Sequence, residues 1–262
     1  MTLNDFLNKK AKSEKITMLT CYDFWSARLL DETPVDSLLV GDSLAMVMHG
    51  HSTTLPATVD LMAYHCAAVA RGAKSKFIVA DMPFLSFRKD LTSNMNAVEK
   101  LMATGCHGVK LEGAHGNLEL VRHVVQSGVP VMGHLGLTPQ SIHQLGGFRI
   151  QGRNAAAAKS IMQSAFDLQE AGVFAVVLEC VPTELAMTIS KELSIPTIGI
   201  GAGPHTDGQI LVLQDLLGLN GDFKPKFLKK YLDGGMIFKE AIERYTQEVK
   251  SQTFPSNEET YQ

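Results

Sequence analysis

Cysteine is scarce in this sequence, and no cysteine has a close partner along the chain. The four cysteines are Cys21, Cys66, Cys106 and Cys180, and no two of them form a C-x-x-C pair. Disulfide frameworks and structural zinc sites usually show closely spaced or paired cysteines. We therefore expect reduced thiols and a cytoplasmic location, and neither a disulfide scaffold nor a zinc module.

Long hydrophobic runs are also missing. The first fifteen residues lack the apolar stretch of a signal peptide, and no run approaches the roughly 20 apolar residues that span a membrane. A formal net charge of −3 shows no basic excess, which argues against a dedicated nucleic-acid surface. Neither G-x-S-x-G nor G-x-G-x-x-G occurs, so we expect no serine nucleophile elbow and no dinucleotide loop. Membrane and nucleic-acid partners are not expected.

Eight short β-rich runs alternate with longer helical patterns. Most are continuously apolar, as in parallel strands covered on both faces. In chain order they are ITMLTCYD, SLLVGDS, KFIVADMP, GVKLEG, VPVMGHLG, FAVVLEC, IPTIGIGAG and QILVLQDLLG. Capped helices separate them, for example the segment 58–72 with Thr58 as its N-cap. Eight such units predict an α/β fold, a (β/α)8 TIM barrel, because a doubly wound open sheet would need fewer strands.

No low-complexity linker divides the chain, so the sequence predicts a single (β/α)8 domain over residues 1–262. The start, NKKAKSEK, mixes basic and polar residues and is expected to be a short solvated end. From about Tyr245 the sequence becomes polar, and we expect a loose C-terminal tail from about residue 250.

Charged residues cluster where the predicted strands end. In chain order these residues are Asp42, Asp81, Lys110, Glu112, His134 and Glu179. A single Asp at a strand end is usually a helix cap or a turn former. Four acids, a lysine and a histidine on successive strands are harder to explain in that way. The C-terminal ends of barrel strands open onto one face, where active sites are built, so these residues predict one pocket.

Four acids in one pocket would repel one another, and Lys110 alone is too little positive charge to balance them. Asp42, Asp81 and Glu112 are hard oxygen donors, which favour Mg²⁺ over zinc. With a 2-oxo acid as substrate, Mg²⁺ would polarise the carbonyl group and stabilise an enolate. Glu179 ends the apolar run FAVVL and is the spare acid, which could remove the α-proton as a base.

Several segments together resemble the ketopantoate hydroxymethyltransferase family. They are TCYD, LLVGDSLAMVMHGHSTTLPATVDLMAYH, ADMPF, VKLEG, VPVMGHLGLTPQS, QGR, LECVP and IGIGAGPHTDGQILVLQDLLG. The resemblance implies a (β/α)8 barrel with Mg²⁺ at its mouth. It implies transfer of a hydroxymethyl group from 5,10-methylenetetrahydrofolate to 3-methyl-2-oxobutanoate, which gives 2-dehydropantoate for pantothenate synthesis. It also implies a large homo-oligomer, typically a decamer.

By position, the resemblance also assigns roles to individual residues. The metal-site carboxylates are Asp42, Asp81 and Glu112. The substrate contacts are Asp42, Ser43, Asp81, Lys110 and His134. The catalytic base is Glu179. His134 stands between two glycines in GHLG, and the residues alone leave a structural and a catalytic role for it equally open.

Two other interpretations remain open at the level of sequence. A different Mg²⁺-dependent barrel enzyme acting on 2-oxo acids, such as a carbon–carbon lyase or a phosphonomutase-type enzyme, would use the same carboxylates. Activity without tetrahydrofolate would indicate that enzyme. A non-catalytic protein would bind the oxo acid without turnover, and the intact set of acids, base and lysine argues against it.

Overall fold

The structure is a computed structural model that describes residues 1–221 and 224–261. Parallel strands close into a barrel in which each strand pairs with the next and the eighth pairs with the first. The strands are β1 Ile16–Thr20, β2 Ser37–Val40, β3 Phe77–Asp81, β4 Gly108–Glu112, β5 Val131–Gly136, β6 Ala175–Glu179, β7 Thr197–Ile200 and β8 Gly208–Leu211. The predicted (β/α)8 barrel is confirmed; seven predicted runs each contain a whole strand, and the eighth contains all of β8 except Gly208.

Helices connect the strands, and their starts follow the predicted capping pattern. The helices are α1 Leu3–Ala11, α2 Phe24–Asp31, α3 Leu44–Val47, α4 Val59–Gly72, α5 Leu91–Met102, α6 Leu118–Gln126, α7 Ile142–Leu145, α8 Ala155–Glu170, α9 Thr183–Glu192, α10 Leu213–Leu216 and α11 Gly234–Lys250. The N-cap Thr58 is confirmed, because its Oγ1 accepts a hydrogen bond from the Leu61 N–H at 3.2 Å. Such a cap satisfies an N–H that the helix itself leaves free.

The chain divides into two compact units, residues 1–212 and 213–262. The first unit contains all eight strands with α1–α9, and the second contains α10 and α11. The single domain over residues 1–262 stays a prediction. Between residues 251 and 261 the regular structure is a 3-10 turn at Asn257–Glu259. Over the two described ranges, no helix is long and apolar enough to cross a membrane.

The base of the barrel is closed by the N-terminal helix. Phe6 of α1 is fully buried. Its ring packs edge-on against Phe77 of β3 at a centroid distance of 5.4 Å and against Phe174 at 5.1 Å. Phe6 thus anchors an otherwise polar helix, whereas the stretch NKKAKSEK, which begins two residues later and was expected to be solvated, contains no buried residue.

Strand alternation carries polar side chains to the opposite end of the barrel. In three strands a polar residue follows a buried core residue by two positions. These pairs are Val79–Asp81, Met132–His134 and Val177–Glu179. Side chains two residues apart share one face of a strand. The polar residues therefore lie on the inward faces, above the apolar layers and at the C-terminal ends of the strands.

Candidate active site

The barrel register places the predicted site residues side by side. Asp81 of β3 pairs with Lys110 of β4, and Glu112 of β4 pairs with His134 of β5. Two predicted boundaries were wrong by two residues. Asp42 lies beyond the last residue of β2, where its own N–H turns to donate to Asp81 Oδ2 at 3.2 Å. β5 continues past His134 to Gly136, because its pairing with β6 persists to Glu179.

Asp81 and Lys110 form a buried ion pair. Lys110 Nζ donates to Asp81 Oδ1 at 2.5 Å, and both side chains are almost inaccessible. Burial lowers the pKa of Lys110, but the charges of Asp81, Glu112 and Asp42 outweigh it and raise that pKa above its ordinary value. Burial raises the pKa of Asp81, Lys110 opposes this and Glu112 adds to it, so that pKa is also raised. One ammonium group therefore faces more negative charge than it can balance.

Among the acids of this group, Asp42 has the most strongly raised pKa. It is 4% exposed. Burial, followed by the charges of Asp81 and Glu112, holds the pKa of Asp42 well above its usual range. A carboxyl group in this state is stabilised either by a proton or by a further cation.

His134 lies between two glutamates. Its Nδ1 is 3.4 Å from Oε1 of Glu112, and its Nε2 is 3.2 Å from Oε2 of Glu179. Both are ion-pair distances. Burial and the Lys110 charge lower the pKa of His134, but the two carboxylates outweigh them and raise it to about 9. The imidazolium form at neutral pH thus connects Glu179 to the group of buried acids.

Gln140, which was not predicted from the sequence, donates hydrogen bonds to two of the acids, Asp42 and Glu112. Its Nε2 donates to Asp42 Oδ2 and to the Met82 carbonyl oxygen, both at 2.9 Å, and its backbone N–H donates to Glu112 Oε2 at 3.0 Å. The Asp42 carboxylate oxygen and the Met82 carbonyl oxygen both accept hydrogen bonds, so the Gln140 side-chain atom that contacts them is the amide nitrogen and not the amide oxygen. The available signal was the helix-starting proline in LTPQS, which places this turn directly after β5.

Ser43 lies at the rim of the same group. Its Oγ is 2.8 Å from the hydroxyl oxygen of Tyr22. A Cβ added at Gly41 would be 2.8 Å from Ser43 Oγ and 3.7 Å from Asp81 Oδ2, so both oxygen atoms lie over this glycine. A larger residue at Gly41 would therefore force the Ser43 hydroxyl to shift.

Within residues 1–221 and 224–261, no group of three His, Cys, Asp or Glu side chains is placed to hold a metal ion. The carboxylate oxygens of the acid group contact Lys110, Gln140 and His134 instead. The Mg²⁺ site predicted from the sequence therefore stays a prediction.

A closed (β/α)8 barrel with acids, a lysine and a histidine at the C-terminal strand ends defines an enzyme of the TIM-barrel class. The family model described as ketopantoate hydroxymethyltransferase matches residues 1–257. The chain belongs to this family.

Curated relatives extend over nearly the whole chain. A 3-methyl-2-oxobutanoate hydroxymethyltransferase of Bdellovibrio bacteriovorus is 61% identical over 260 residues, which is 99% of both proteins. One from Coxiella burnetii is 60% identical over 256 residues, covering 97% of this chain and 96% of its own. The resemblance seen in the sequence is thereby confirmed.

Solved structures with the same fold are more distant in sequence. A phosphonopyruvate hydrolase, in complex with oxalate and Mg²⁺, has a TM-score of 0.62 and 10% identity, with 99% of this chain and 93% of that chain covered. A 2,3-dimethylmalate lyase of the PEP mutase/isocitrate lyase superfamily has a TM-score of 0.59 and 16% identity, with 96% and 98% covered. These likenesses are of fold alone, so the lyase or phosphonomutase interpretation gains no support from them.

Proposed function

We propose that this protein transfers a hydroxymethyl group from 5,10-methylenetetrahydrofolate to 3-methyl-2-oxobutanoate, which yields 2-dehydropantoate for pantothenate synthesis. The observation that carries the proposal is the path from Glu179 through His134 to Glu112, with contacts of 3.2 and 3.4 Å. It joins one solvent-accessible carboxylate to a buried acid group. The relatives that share about 60% of this sequence bear the name of this activity.

The residues of the acid group fit Mg²⁺ by their chemistry. Asp42, Asp81 and Glu112 supply hard oxygen donors, and burial, followed by the charges of Asp81 and Glu112, raises the pKa of Asp42. Gln140 Oε1 is buried and has no hydrogen-bond partner among the described residues, so it leaves one polar acceptor free beside Asp42, to which its Nε2 donates. When bound, Mg²⁺ would polarise the carbonyl group of the oxo acid.

The side chains of the protein bind the oxo acid, remove its proton and orient the base. Ser43 and Lys110 bind the oxo acid, and the ammonium group of Lys110 offsets its negative charge. Glu179 is the base that takes the proton from C3. His134 orients Glu179, and as a cation it stabilises both flanking carboxylates.

The overall reaction balances with one water molecule. C3 loses its proton to Glu179 and forms a bond to the methylene carbon of the folate. The two carbon–nitrogen bonds of that methylene group break, and water supplies the hydroxyl oxygen. The C3 proton and the second water proton pass to the two folate nitrogens, which releases tetrahydrofolate.

We further propose a cytoplasmic homodecamer with small-molecule substrates and without nucleic-acid or membrane partners. Supporting an oligomer, α11 exposes Met236, Ile237, Phe238 and Ile242, and burial of such apolar side chains favours association. Sedimentation velocity of the purified chain tests the oligomer number, and a sedimenting monomer would contradict it.

The activity itself is tested by two linked assays. Incubation with 3-methyl-2-oxobutanoate and Mg²⁺ in deuterated water should exchange the C3 proton without folate. Product should form only when 5,10-methylenetetrahydrofolate is added. Turnover of a 2-oxo acid without folate would instead indicate a lyase or mutase.

A further inference from the structure

A cleft adjoins the acid group on one side. It has a volume of about 570 Å³, within the range of small-molecule sites. Its lining includes Phe84, Leu85, Arg88, Glu112, Gln140 and Gln144. Glu112 thus belongs both to the acid group and to this cleft, so a ligand in the cleft lies next to the proposed reaction centre.

The segment that follows β3 presents an apolar surface to this cleft. Phe84 is 40% exposed and Leu85 is 48% exposed, although both line the cleft. Leu85 has a φ of +59°, a left-handed conformation that is unfavourable for a residue with a side chain. Strain of this kind persists where the surrounding structure enforces it, often at ligand sites. The exposed Phe84 ring offers a flat face for an aromatic ligand.

Arg88 supplies a positive charge at the same cleft. Its Nη1 donates to the His115 carbonyl oxygen at 2.6 Å. The guanidinium lies over the turn after β4, since a Cβ at Gly116 would be 2.9 Å from Nη1 and one at Gly113 would be 3.5 Å from Nη2. None of the ion pairs found in the described residues includes Arg88. A held guanidinium without an acidic partner is suited to bind a carboxylate.

We propose that this cleft is the folate site, with a ring of the cofactor against Phe84 and a carboxylate of its glutamate tail on Arg88. The inference rests on the proposed function, which requires a one-carbon carrier beside the oxo acid. Tetrahydrofolate combines a flat heterocycle, an aromatic ring and an anionic tail. The cleft offers an aromatic face and a cation along one wall, and it adjoins the acid group at Glu112.

Calorimetric titration of the full chain with tetrahydrofolate tests the site. Phe84→Ala and Arg88→Met should each weaken tetrahydrofolate binding about tenfold, which corresponds to ~1.4 kcal/mol. Binding of 3-methyl-2-oxobutanoate in the presence of Mg²⁺ should change less than about twofold. Arg122→Met, which removes an exposed arginine from α6, is the matched control and should bind both ligands as the unmodified chain does.

A truncated ligand isolates the role of Arg88. The unmodified chain should bind tetrahydrofolate more tightly than 6-methyltetrahydropterin, which lacks the carboxylate tail. Arg88→Met should lose most of this preference, whereas Phe84→Ala should weaken both ligands and keep it.

The outcomes separate the cleft from the proposed function. If the unmodified chain binds tetrahydrofolate and both variants bind it equally well, the cleft is not the folate site and the proposed function stands. Equal loss of oxo-acid and folate binding in the variants would also contradict the proposed folate site, because the substitutions would then have disturbed the fold and not one ligand site. If the unmodified chain neither binds folate nor forms product, the proposed function itself fails.

Discussion

His134 Nε2 lies 3.2 Å from Glu179 Oε2 on the inner wall of the barrel. The same imidazole ring reaches Glu112 through its other nitrogen at 3.4 Å. Glu179 keeps 18% of its side chain exposed, whereas the Glu112 side chain is 3% exposed. The ring therefore stands between an acid that can meet substrate and an acid that is enclosed. Its positive charge orders both, which makes His134 a positioning residue in the proposed reaction.

Glu179→Gln tests the base directly. The amide has the size of the carboxylate but cannot accept the C3 proton, so deuterium exchange at C3 should fall by at least about 100-fold. Calorimetry should show that 3-methyl-2-oxobutanoate still binds. Glu184→Gln, an exposed change in the first turn of α9, is the control and should exchange normally. Exchange at the unmodified rate in Glu179→Gln would exclude this residue as the base.

A double-mutant cycle tests whether His134 acts through Glu179. His134→Gln removes the positive charge between the two glutamates and should slow C3 exchange roughly tenfold. In the Glu179→Gln background the same change should alter the residual rate by less than about threefold. Equal effects in both backgrounds would show that His134 acts independently of Glu179. Circular dichroism of each variant checks that the barrel is intact.

Gln140→Leu tests the link between Asp42 and Glu112. Loss of the side-chain amide frees Asp42 Oδ2 from its 2.9 Å hydrogen bond. Mutation of a residue that orients metal ligands typically weakens metal affinity by about 10–100-fold. The Mg²⁺ concentration for half-maximal activity should therefore rise about tenfold, with less change in the KM for folate. Gln163→Leu on α8, whose amide bonds only to Asp167 among the contacts described, should leave the Mg²⁺ dependence unchanged.

Much of this site could be predicted because strands impose a simple periodicity. Asp81, Lys110 and Glu179 lie in strands, where two-residue alternation and the strand end give both the face and the height of a side chain. Gln140 lies in a 3-10 turn between β5 and α7, and such turns carry no repeating pattern. Its contacts to Asp42 and Glu112 span 98 and 28 residues, so they follow only from the closed barrel.

Asp36→Asn should lower stability in a pH-dependent way. Asp36 Oδ2 accepts from the Thr17 N–H at 2.8 Å, and Oδ1 lies 2.9 Å from Lys9 Nζ. Burial raises the pKa of Asp36, but the hydrogen bonds from Thr17 and Lys9 outweigh it and lower that pKa. A lowered pKa stabilises the fold above the unfolded value of about 3.9, and this stabilisation is lost as the pH falls through the folded value.

The variant should therefore be about 1 kcal/mol less stable at pH 7, and this difference should shrink below about pH 4. Urea titrations across this range give the free energies of unfolding. Asp60→Asn removes a partner from the exposed Asp60–Lys100 pair and is the control, for which little change is expected. A pH-independent difference for Asp36→Asn would show that its charge is not the cause.

Phe6→Ala tests the closure of the barrel base. The ring is fully buried between Phe77 and Phe174, and removal of such a ring typically costs about 3–5 kcal/mol. Phe148→Ala removes a ring that is 61% exposed and should change stability by less than about 0.5 kcal/mol. Thermal unfolding compares the two. Similar melting temperatures for the two variants would mean that α1 contributes little to the stability of the barrel.

The role of Phe6 was not predictable from its own segment. Lysines and polar residues dominate the first fifteen positions, and this composition indicates solvent exposure. One aromatic residue in such a segment has no partner along the chain. Its partners, Phe77 and Phe174, lie on distant elements that meet at the base only after the barrel closes.

The inward polar residues also protect the alignment of the strands. A slip of two residues would keep each side chain on its own face of the sheet. In β6, however, such a slip would move Glu179 down to the level of Val177, among the apolar layers. An unpaired carboxylate there would cost several kcal/mol. The acids that the reaction requires therefore also raise the free energy of barrels with misaligned strands. A neutral replacement would remove this effect together with a reactive group.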